Sequence, residues 1–348
     1  MSTRLILASS LFLSCMNVQA DQVVIDLQEP TLDRWFYPFN GTPGTRTVAS
    51  TFGNTPDPTK PDSDQFDNRD GQVLLGFDTG DLVEIGQGAE SYQVLSLSVT
   101  MSIANENAIY DDTYDPYTAF LPEGDPDFTA DVDPGQPIEL YGVGYRNGFN
   151  ALNFPENGPF GFGDPLAQGV RNLYAIDYFR GNALDISNNV RERFDPSPWA
   201  IGIIQDGSVA TGESIPEGSL MTFEVHVDDP DIQAYLAEGL NMGRINFCIT
   251  SLTKVVMQGG DFPNFYMKEN PLVDFDLASA ASLSATIQVG QACPEPADIN
   301  CDGIVNGEDL GAFLGAWGTD NPNADFNTDG LVDGVDLGYF LGKWGPVF

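Results

Sequence analysis

The stretch Asp298-Ile-Asn-Cys-Asp-Gly-Ile-Val-Asn-Gly-Glu-Asp309 recurs 27 positions later as Asp325-Phe-Asn-Thr-Asp-Gly-Leu-Val-Asp-Gly-Val-Asp336. A twelve-residue calcium loop of the EF-hand kind takes oxygen ligands from positions 1, 3, 5, 7, 9 and 12, with Gly at position 6 for a sharp turn. Both stretches fit this template, with Asp at position 12. Val305 and Val332, at position 8, are expected to pair the loops across a short β contact. The predicted ligands of two Ca²⁺ ions are Asp298, Asn300, Asp302, Ile304, Asn306 and Asp309, then Asp325, Asn327, Asp329, Leu331, Asp333 and Asp336.

A short helix is predicted after each loop. The apolar residues that recur at i, i+3, i+4 and i+7, the spacing of one helical face, are Leu310, Phe313, Leu314 and Trp317, then Leu337, Phe340, Leu341 and Trp344. Gly318 and Gly345 follow and are expected to end the helices. Because Pro294, Pro296 and Pro322 lie where an entering helix would run, only the exiting helix is predicted.

Two loops in tandem, each followed by one helix, resemble a dockerin module over residues 297–345. This resemblance implies secretion, folding that depends on calcium, and docking to a cohesin-like or other scaffold or cell-surface protein. The helices are rich in glycine, however. Loop positions 10 and 11, where dockerins recognise their partner, are Gly307 and Glu308, then Gly334 and Val335. This differs from the duplicated hydroxyl pair of many dockerins, so the partner need not be an ordinary cohesin.

The first twenty residues have the pattern of an export signal. Arg4 precedes an apolar run from Leu5 to Leu13, and Val18-Gln-Ala20 is a small-residue cleavage motif. The mature protein is expected to begin near Asp21, and a lipoprotein with Cys15 as its lipid-bearing residue is the alternative. No later stretch has the roughly 18 apolar residues that a membrane helix needs. We therefore expect a secreted, extracellular or cell-surface protein without a membrane span.

The net charge limits the classes of binding partner, and the cysteine content limits the disulfides. The formal net charge of −37 at pH 7 argues against nucleic acid and anionic membranes as partners. One of the four cysteines lies in the predicted signal, so three remain. At most one internal disulfide can form, and we expect it to join Cys293 to Cys301, leaving Cys248 alone in a strand.

Residues 21–290 are predicted to form a mostly β domain, a jelly-roll-like β-sandwich, joined by a linker at 291–296 to the calcium-binding module at 297–348. From Ser96 to Ser102 every second residue carries a hydroxyl, which is typical of a strand with one buried face. Short β runs between Gly, Pro and Asp turns continue along the region. The predicted strands are Gln22–Leu27, Arg34–Tyr37, Arg46–Phe52, Gln72–Phe77, Tyr92–Ile103, Ile138–Tyr145, Ala200–Ile204, Leu220–Val227, Arg244–Leu252 and Ser282–Val289. One helix is predicted over Asp231–Glu238, ending at Gly239.

This domain shares a pattern with known sandwich modules. The stretch Val73–Asp78 followed by the strand from Val94, together with the helix at 231–238 and the strand Arg244–Ile249, resembles the DNRLRE modules. Some of these modules bind polysaccharides, so the resemblance implies a polysaccharide as a ligand. Gly76 stands where the family usually has a basic residue, and Tyr235 where Trp is common.

Residues 104–199 do not fit that pattern and are expected to be a loop-rich insertion. Aromatic residues are interleaved in it, and they either stack on sugars in a carbohydrate platform or pack beneath the loops; those considered are Tyr110, Tyr114, Tyr117, Tyr141, Tyr145, Phe149, Phe154, Phe160 and Phe162. Aspartates are frequent in its first third, at Asp111, Asp112, Asp115, Asp125, Asp127, Asp131 and Asp133. These residues, and the acidic stretch Asp62–Gly71, either hold a structural calcium or form solvated loops.

The sequence gives no catalytic residue. His226, the single histidine, is expected on the polar face of a strand, and one histidine excludes a multi-histidine zinc site. The motifs of serine hydrolases, phosphate-binding loops and zinc proteases are absent. A glycoside hydrolase needs only two carboxylates, for which Glu139 and Glu224 are the candidates. The sequence therefore predicts an anchored protein whose β domain is carbohydrate-binding or surface-structural, with a polysaccharide-degrading hydrolase or lyase as the alternative.

Overall fold

The computed structural model describes residues 21–55, 66–106, 108–205, 207–254, 262–290, 295–299, 303–319, 321, 324–327 and 329–347. The chain divides into two compact units, Gln22–Val289 (the large unit) and a second one from Gly290 onward (the small unit). The predicted export signal and the predicted disulfide partners Cys293 and Cys301 lie outside the described residues. Within the described ranges, no helix has the length and apolar character that crossing a membrane requires.

The large unit is mostly β, as the sequence predicts. Its strands are β1 (Asp21–Leu27), β2 (Leu32–Phe36), β3 (Val48–Ser50), β4 (Phe52–Gly53), β5 (Arg69–Asp78), β6 (Tyr92–Ser102), β7 (Ile138–Tyr145), β8 (Leu173–Phe179), β9 (Asn182–Asp185), β10 (Ala200–Ile203), β11 (Leu220–Glu224), β12 (Arg244–Ser251), β13 (Asn264–Tyr266) and β14 (Ser282–Val289). Its helices are α1 (Asn189–Glu192), α2 (Pro230–Met242) and α3 (Pro271–Asp274).

Twelve of these strands form one curled antiparallel sheet in the order β1-β14-β6-β11-β10-β7-β12-β5-β2, which β4, β8 and β9 extend at its sides. The strands β13 and β3 pair separately. In β6, Val94, Leu97, Val99 and Met101 are buried, which confirms the alternation read from the sequence. A bulge at Leu95, opposite Thr286 and Ile287 of β14, explains why two residues separate Val94 from Leu97.

Strand β10 changes partners along its length. Its first half pairs with β7, where Ala200 lies opposite Leu140, and its second half pairs with β11, where Gly202 lies opposite Phe223. The two sides of the sheet share one hydrophobic core. Gly142 in β7 packs directly against the buried ring of Trp199. A Cβ at this position would clash with that ring, so only glycine fits here.

Two parts of the large unit differ from the prediction. Helix α2 continues past Gly239 and ends at Gly243, whose φ is +89°. Gly239 is inside the helix because it packs closely on β12, where a Cβ would lie 3.1 Å from Ile245 Cγ1. The loop-rich region 104–199 also contains two strands that were not predicted, β8 and β9, which extend the sheet from the predicted strand β7.

The small unit contains β15 (Ile304–Val305), α4 (Gly307–Gly315), α5 (Gly334–Gly342) and β16 (Gly345–Pro346). The rings of Phe313 and Phe340, one from each helix, stack with centroids 5.5 Å apart. The core around them consists of Ala297, Val305, Phe313, Ala316, Ala324, Val332 and Phe340.

The expected pairing of Val305 with Val332 is wrong. Val305 pairs with Gly345, which follows the second helix. Val332 instead accepts from Gly318 N at 2.9 Å and donates to Thr319 O at 2.8 Å, both of which follow the first helix. Each loop therefore pairs with the segment after the other repeat's helix, because the two stacked helices bring those ends to the loops.

Candidate functional site

The second loop, Asp325–Asp336, closes on itself through its first and last residues. Asp325 Oδ2 accepts from Gly330 N at 2.7 Å, and Asp325 Oδ1 accepts from Asp329 N at 3.2 Å. Asp336 Oδ1 accepts from Phe326 N at 2.8 Å, near the start of the loop. Gly330 has φ +89°, a left-handed conformation that favours glycine. The loop thus wraps around two buried carboxylates.

The first loop repeats these contacts where it is described. Asp298 Oδ2 accepts from Gly303 N at 2.8 Å, which matches Asp325 and Gly330 of the second loop. Asn306 N donates to Asp309 Oδ2 at 2.9 Å, which matches Asp333 N and Asp336 Oδ2 at 2.9 Å. The predicted ligands Asn300 and Asp302 lie outside the described residues.

Positions 9 and 12 of each loop also start the following helix. Asn306 and Asp309 form a capping box at α4, and Asp333 and Asp336 form one at α5. In each box the residue at position 12 reaches back to the backbone amide of the residue at position 9. Asp at position 12 therefore has a structural role in the helix, besides its predicted role as a ligand.

The remaining predicted ligands of the second loop lie near its surface. Asn327 and Asp329 are exposed and joined by a hydrogen bond from Asn327 Nδ2 to Asp329 Oδ2 at 2.9 Å. The side chain of Leu331 is exposed, as expected where only a backbone carbonyl is to bind. Asp333 is half-buried. The predicted ligand set therefore runs from two buried carboxylates out to the surface of the loop.

The charges in the second loop suit a cation. Hydrogen bonds from backbone amides, first that of Asp333 and then those of Asn327 and Phe326, hold the pKa of Asp336 below its ordinary value. No described lysine or arginine forms an ion pair with Asp325 or Asp336. The donor set of carboxylate, amide and carbonyl oxygens is the one that Ca²⁺ takes in proteins. The residues present therefore fit a calcium ion.

The predicted apolar face of each helix divides into two halves. Phe313 and Phe340 are fully buried in the core of the small unit. The helices end at Gly315 and Gly342 rather than at the predicted Gly318 and Gly345, so that each tryptophan lies just after its helix. The leucine within each helix and the tryptophan three residues on are exposed, with exposed fractions of 52% for Leu314, 45% for Trp317, 53% for Leu341 and 51% for Trp344. The repeat therefore presents the same pair of large apolar side chains twice.

Most of the aromatic residues of the region 104–199 pack inside the large unit. Of the nine aromatic residues considered above, seven are buried or half-buried, while Tyr114 and Phe162 are exposed, by 37% and 61%. These nine rings therefore do not form one exposed platform. Packing beneath the loops, the other hypothesis, describes most of these rings.

The two carboxylates that are candidates for hydrolysis lie in different surroundings, one buried and one exposed. Glu139 is buried in the core and forms an ion pair with Arg69. Burial raises the pKa of Glu139, and Arg69 opposes this effect. Glu224 is exposed and accepts from Gln205 Nε2 at 2.9 Å. Because Glu139 is enclosed, it is not placed to reach a substrate.

The histidine and the described cysteine do not form a nucleophilic pair. His226 is exposed, as predicted for the polar face. Cys248 is buried in β12, and its Sγ donates to Gln72 Oε1 at 3.2 Å. Burial raises the pKa of the Cys248 thiol to about 12, so the thiolate that would act as nucleophile is not formed near neutral pH.

A cleft of about 400 Å³ lies between helix α2 and strands β7 and β8, and the sequence patterns do not predict it. Tyr145, Tyr178 and Tyr235 line it together with Glu238 and Arg244. The hydroxyl of Tyr235 donates to Asn246 O at 2.7 Å. Residues from three separate segments, within 143–151, 178–181 and 231–244, form this cleft, so that no local motif could have indicated it.

No protein-family model and no curated protein matches this chain. The dockerin resemblance therefore depends on the repeated loop and helix residues alone.

Proposed function

We propose that the small unit is a dockerin-like module that binds two Ca²⁺ ions and anchors the β-rich large unit of a secreted protein to a scaffold or cell-surface partner. The observation that carries the proposal is the repeated loop geometry. Asp298 with Gly303, and Asp325 with Gly330, make the same contact in two loops that each lead into a capped helix. A calcium ion would supply the positive charge that the buried aspartates of the second loop lack among the described side chains.

Exposed residues at the ends of α4 and α5 support the anchoring role. Leu314 in α4 with Trp317 just after it, and Leu341 in α5 with Trp344 just after it, form two equivalent apolar pairs. Large exposed apolar side chains in a repeated arrangement are typical of a protein-binding surface, because tryptophan contributes much of the energy where it is buried in an interface. The partner is a cohesin-like or another scaffold protein.

The large unit, in this proposal, is a jelly-roll-like β-sandwich with a carbohydrate-binding or surface-structural role. The change of partner along β10 supports a sandwich, since strands that switch sheets make the corners of such folds. The cleft with three tyrosines supports a polysaccharide ligand, because aromatic rings stack on sugars while the charged groups at its edge bind hydroxyls.

Calorimetric titration of the full chain with Ca²⁺ tests the metal part of the proposal. We expect Asp309→Asn and Asp336→Asn each to reduce the number of bound ions by one. The control is Glu308→Gln, which makes the same charge change at the adjacent position 11, where the template has no ligand. Equal stoichiometry in Asp309→Asn and Glu308→Gln would contradict the loop assignment.

Capture of proteins from the envelope and the medium of the secreting cells tests the anchoring part. We expect the full chain to retain a specific partner in Ca²⁺ but not in EDTA, and the double variant Trp317→Ser/Trp344→Ser to lose it while still binding Ca²⁺. The control is Val132→Ser, which changes a residue of the large unit that is 96% exposed. Retention of the partner by the double variant would contradict docking through this surface.

Glycan binding tests the large unit. We expect Tyr178→Ala, which removes a ring from the cleft, to weaken binding to a polysaccharide at least tenfold, and Phe179→Ala, the exposed neighbour outside the cleft lining, to leave binding unchanged. Release of reducing sugar by the wild-type chain would favour the enzyme hypothesis instead. Neither binding nor release would favour a surface-structural role.

A further inference from the structure

A separate cluster of carboxylates lies in the large unit. One carboxylate oxygen from each of Asp111, Asp115 and Asp133 lies within 4.8 Å of the other two. Asp111 and Asp115 are only 2% and 6% exposed. These two are therefore not part of a solvated acidic loop, which is the other role that the sequence allows.

Each carboxylate of the cluster has an unused buried oxygen. Asp111 Oδ2, Asp115 Oδ2 and Asp133 Oδ1 are inaccessible to solvent and have no hydrogen-bond partner. The other oxygen of Asp111 is satisfied, since it accepts from Thr113 N at 2.8 Å and from Thr113 Oγ1 at 2.7 Å. A buried charged oxygen without a partner is strongly destabilising. Three neighbouring carboxylates that each have such an oxygen indicate that a ligand belongs between them.

No cationic side chain of the described chain fills this position. None of the three aspartates forms an ion pair with a described lysine or arginine. The arginine of this region, Arg193, binds Asp125 and Asp127 instead, at 2.5 and 2.7 Å.

A fourth carboxylate increases the repulsion in the cluster. The charges of Asp131 and Asp111 both act on Asp115 and repel its carboxylate. A cation placed among these carboxylates would relieve that repulsion.

A second cluster of three carboxylates, Asp33, Glu156 and Glu269, shows the contrasting arrangement. Lys268 lies among them, with its Nζ 2.5 Å from Glu156 and 3.5 Å from Asp33. There the chain supplies its own cation, whereas the Asp111 cluster has the same number of carboxylates without one.

We propose that Asp111, Asp115 and Asp133 form a Ca²⁺ site in the large unit that is independent of the two loops of the small unit. Ca²⁺ fits because the ligands are oxygens only, and because it accepts irregular arrangements, whereas Mg²⁺ demands near-octahedral geometry. The ion would join residues 111–115 to residue 133 and so close the segment between them, which contains the short helical turn Tyr117–Phe120.

The test is calcium titration and calorimetric melting of the full chain. We expect the wild type to bind one ion more than the two loops account for, and Asp115→Asn to lose that ion. The control is Asp112→Asn, an exposed neighbour that accepts from Thr211 Oγ1 at 2.6 Å, and it retains all ions. In the Asp309→Asn/Asp336→Asn background, which removes both loop sites, one ion should remain, and adding Asp115→Asn should abolish it.

Melting distinguishes a metal site from a merely structural cluster. Because Asp115→Asn removes a repelling charge, we expect it to raise the melting temperature of the large unit in EDTA and to abolish the further rise caused by Ca²⁺. Unchanged stoichiometry in Asp115→Asn would overturn the proposal, as would zero ions bound by the variant without loop sites. Neither result tests the two loops, because the loss of their ions is measured separately with Asp309→Asn and Asp336→Asn.

Discussion

The two units of this protein neutralise buried carboxylates in different ways. In the large unit, Glu139 is paired with Arg69 inside the core, so that the chain carries its own positive charge. In the small unit, Asp325 and Asp336 accept hydrogen bonds from backbone amides of their loop. Amides lower the energy of a carboxylate but do not cancel its charge. Apart from the cluster of Asp111, Asp115 and Asp133, the large unit should therefore fold without an added cation, whereas the small unit as a whole should depend on one.

Removal of calcium is the change with the largest expected effect. Among the described residues, the core of the small unit has seven buried apolar side chains, and a unit of this size is marginally stable without a metal. We expect EDTA to abolish the melting transition of the small unit in calorimetry of the full chain, and to leave the main transition of the large unit in place. Near-ultraviolet circular dichroism of Trp317 and Trp344 should disappear with it. A small-unit transition that persists in EDTA would contradict the comparison.

The buried ion pair of the large unit gives the next largest effect. Glu139→Gln leaves the Arg69 guanidinium buried without a counter-charge, which costs about 3–5 kcal/mol of stability. Replacing both partners, as Arg69→Met/Glu139→Leu, should recover most of this loss, because no charge is then buried. Urea unfolding measures both variants.

The control for this pair is Glu224→Gln, which makes the same change at an exposed site two strands away in the sheet, and it should stay within about 0.5 kcal/mol of the wild type. If Glu139→Gln reduced the free energy of unfolding no more than Glu224→Gln does, the ion pair with Arg69 would not be what stabilises the buried charges of the large unit.

The strands that follow a regular pattern could be predicted from the sequence. The bounds predicted for Ile138–Tyr145 and Ser282–Val289 agree with β7 and β14, because alternation of apolar and polar residues is a local property. The end of α2 was misplaced at Gly239, because the close contact that this glycine makes with β12 is not a local property. The repeated loops could be recognised since their predicted ligands lie within twelve residues.

The sites built from distant segments could not be predicted in the same way. Asp67 and Asp70, from the acidic stretch 62–71, bind Arg171, at 2.7 and 3.8 Å respectively. Their separation of about a hundred residues gives no sequence signal for the pairing. Likewise, nothing in the sequence distinguishes Asp111 and Asp115, which are buried, from Asp112, which is exposed. Burial and tertiary pairing decide the role of an acidic residue, and a single sequence shows neither.

The shared arginine gives a prediction for pH. Burial raises the pKa of Asp70 to about 7; Arg171 opposes the rise and Asp67 adds to it. An unfolded Asp has a pKa of about 4, so between pH 4 and 7 the folded state holds the extra proton. The contribution of Asp70 to the free energy of unfolding is therefore present at low pH and is lost as pH rises toward 7. The loss is at most about 1.4 kcal/mol per pH unit. We expect Asp70→Asn to flatten this slope in urea unfolding, and an identical slope in both proteins would contradict the raised pKa.

The smallest expected effects are of opposite sign within the small unit, and they separate its turn from its helix. Gly330 has φ +89°, so Gly330→Ala should destabilise the calcium-loaded unit by about 1 kcal/mol. Gly338 lies in the exposed middle of α5, where a Cβ meets no atom within 4 Å, and Gly338→Ala should stabilise it by about 1 kcal/mol. Melting in excess Ca²⁺ measures both. Because the two variants add the same methyl group to the same repeat, a shift in the same direction would mean that added bulk, rather than backbone conformation, sets the stability of the loop.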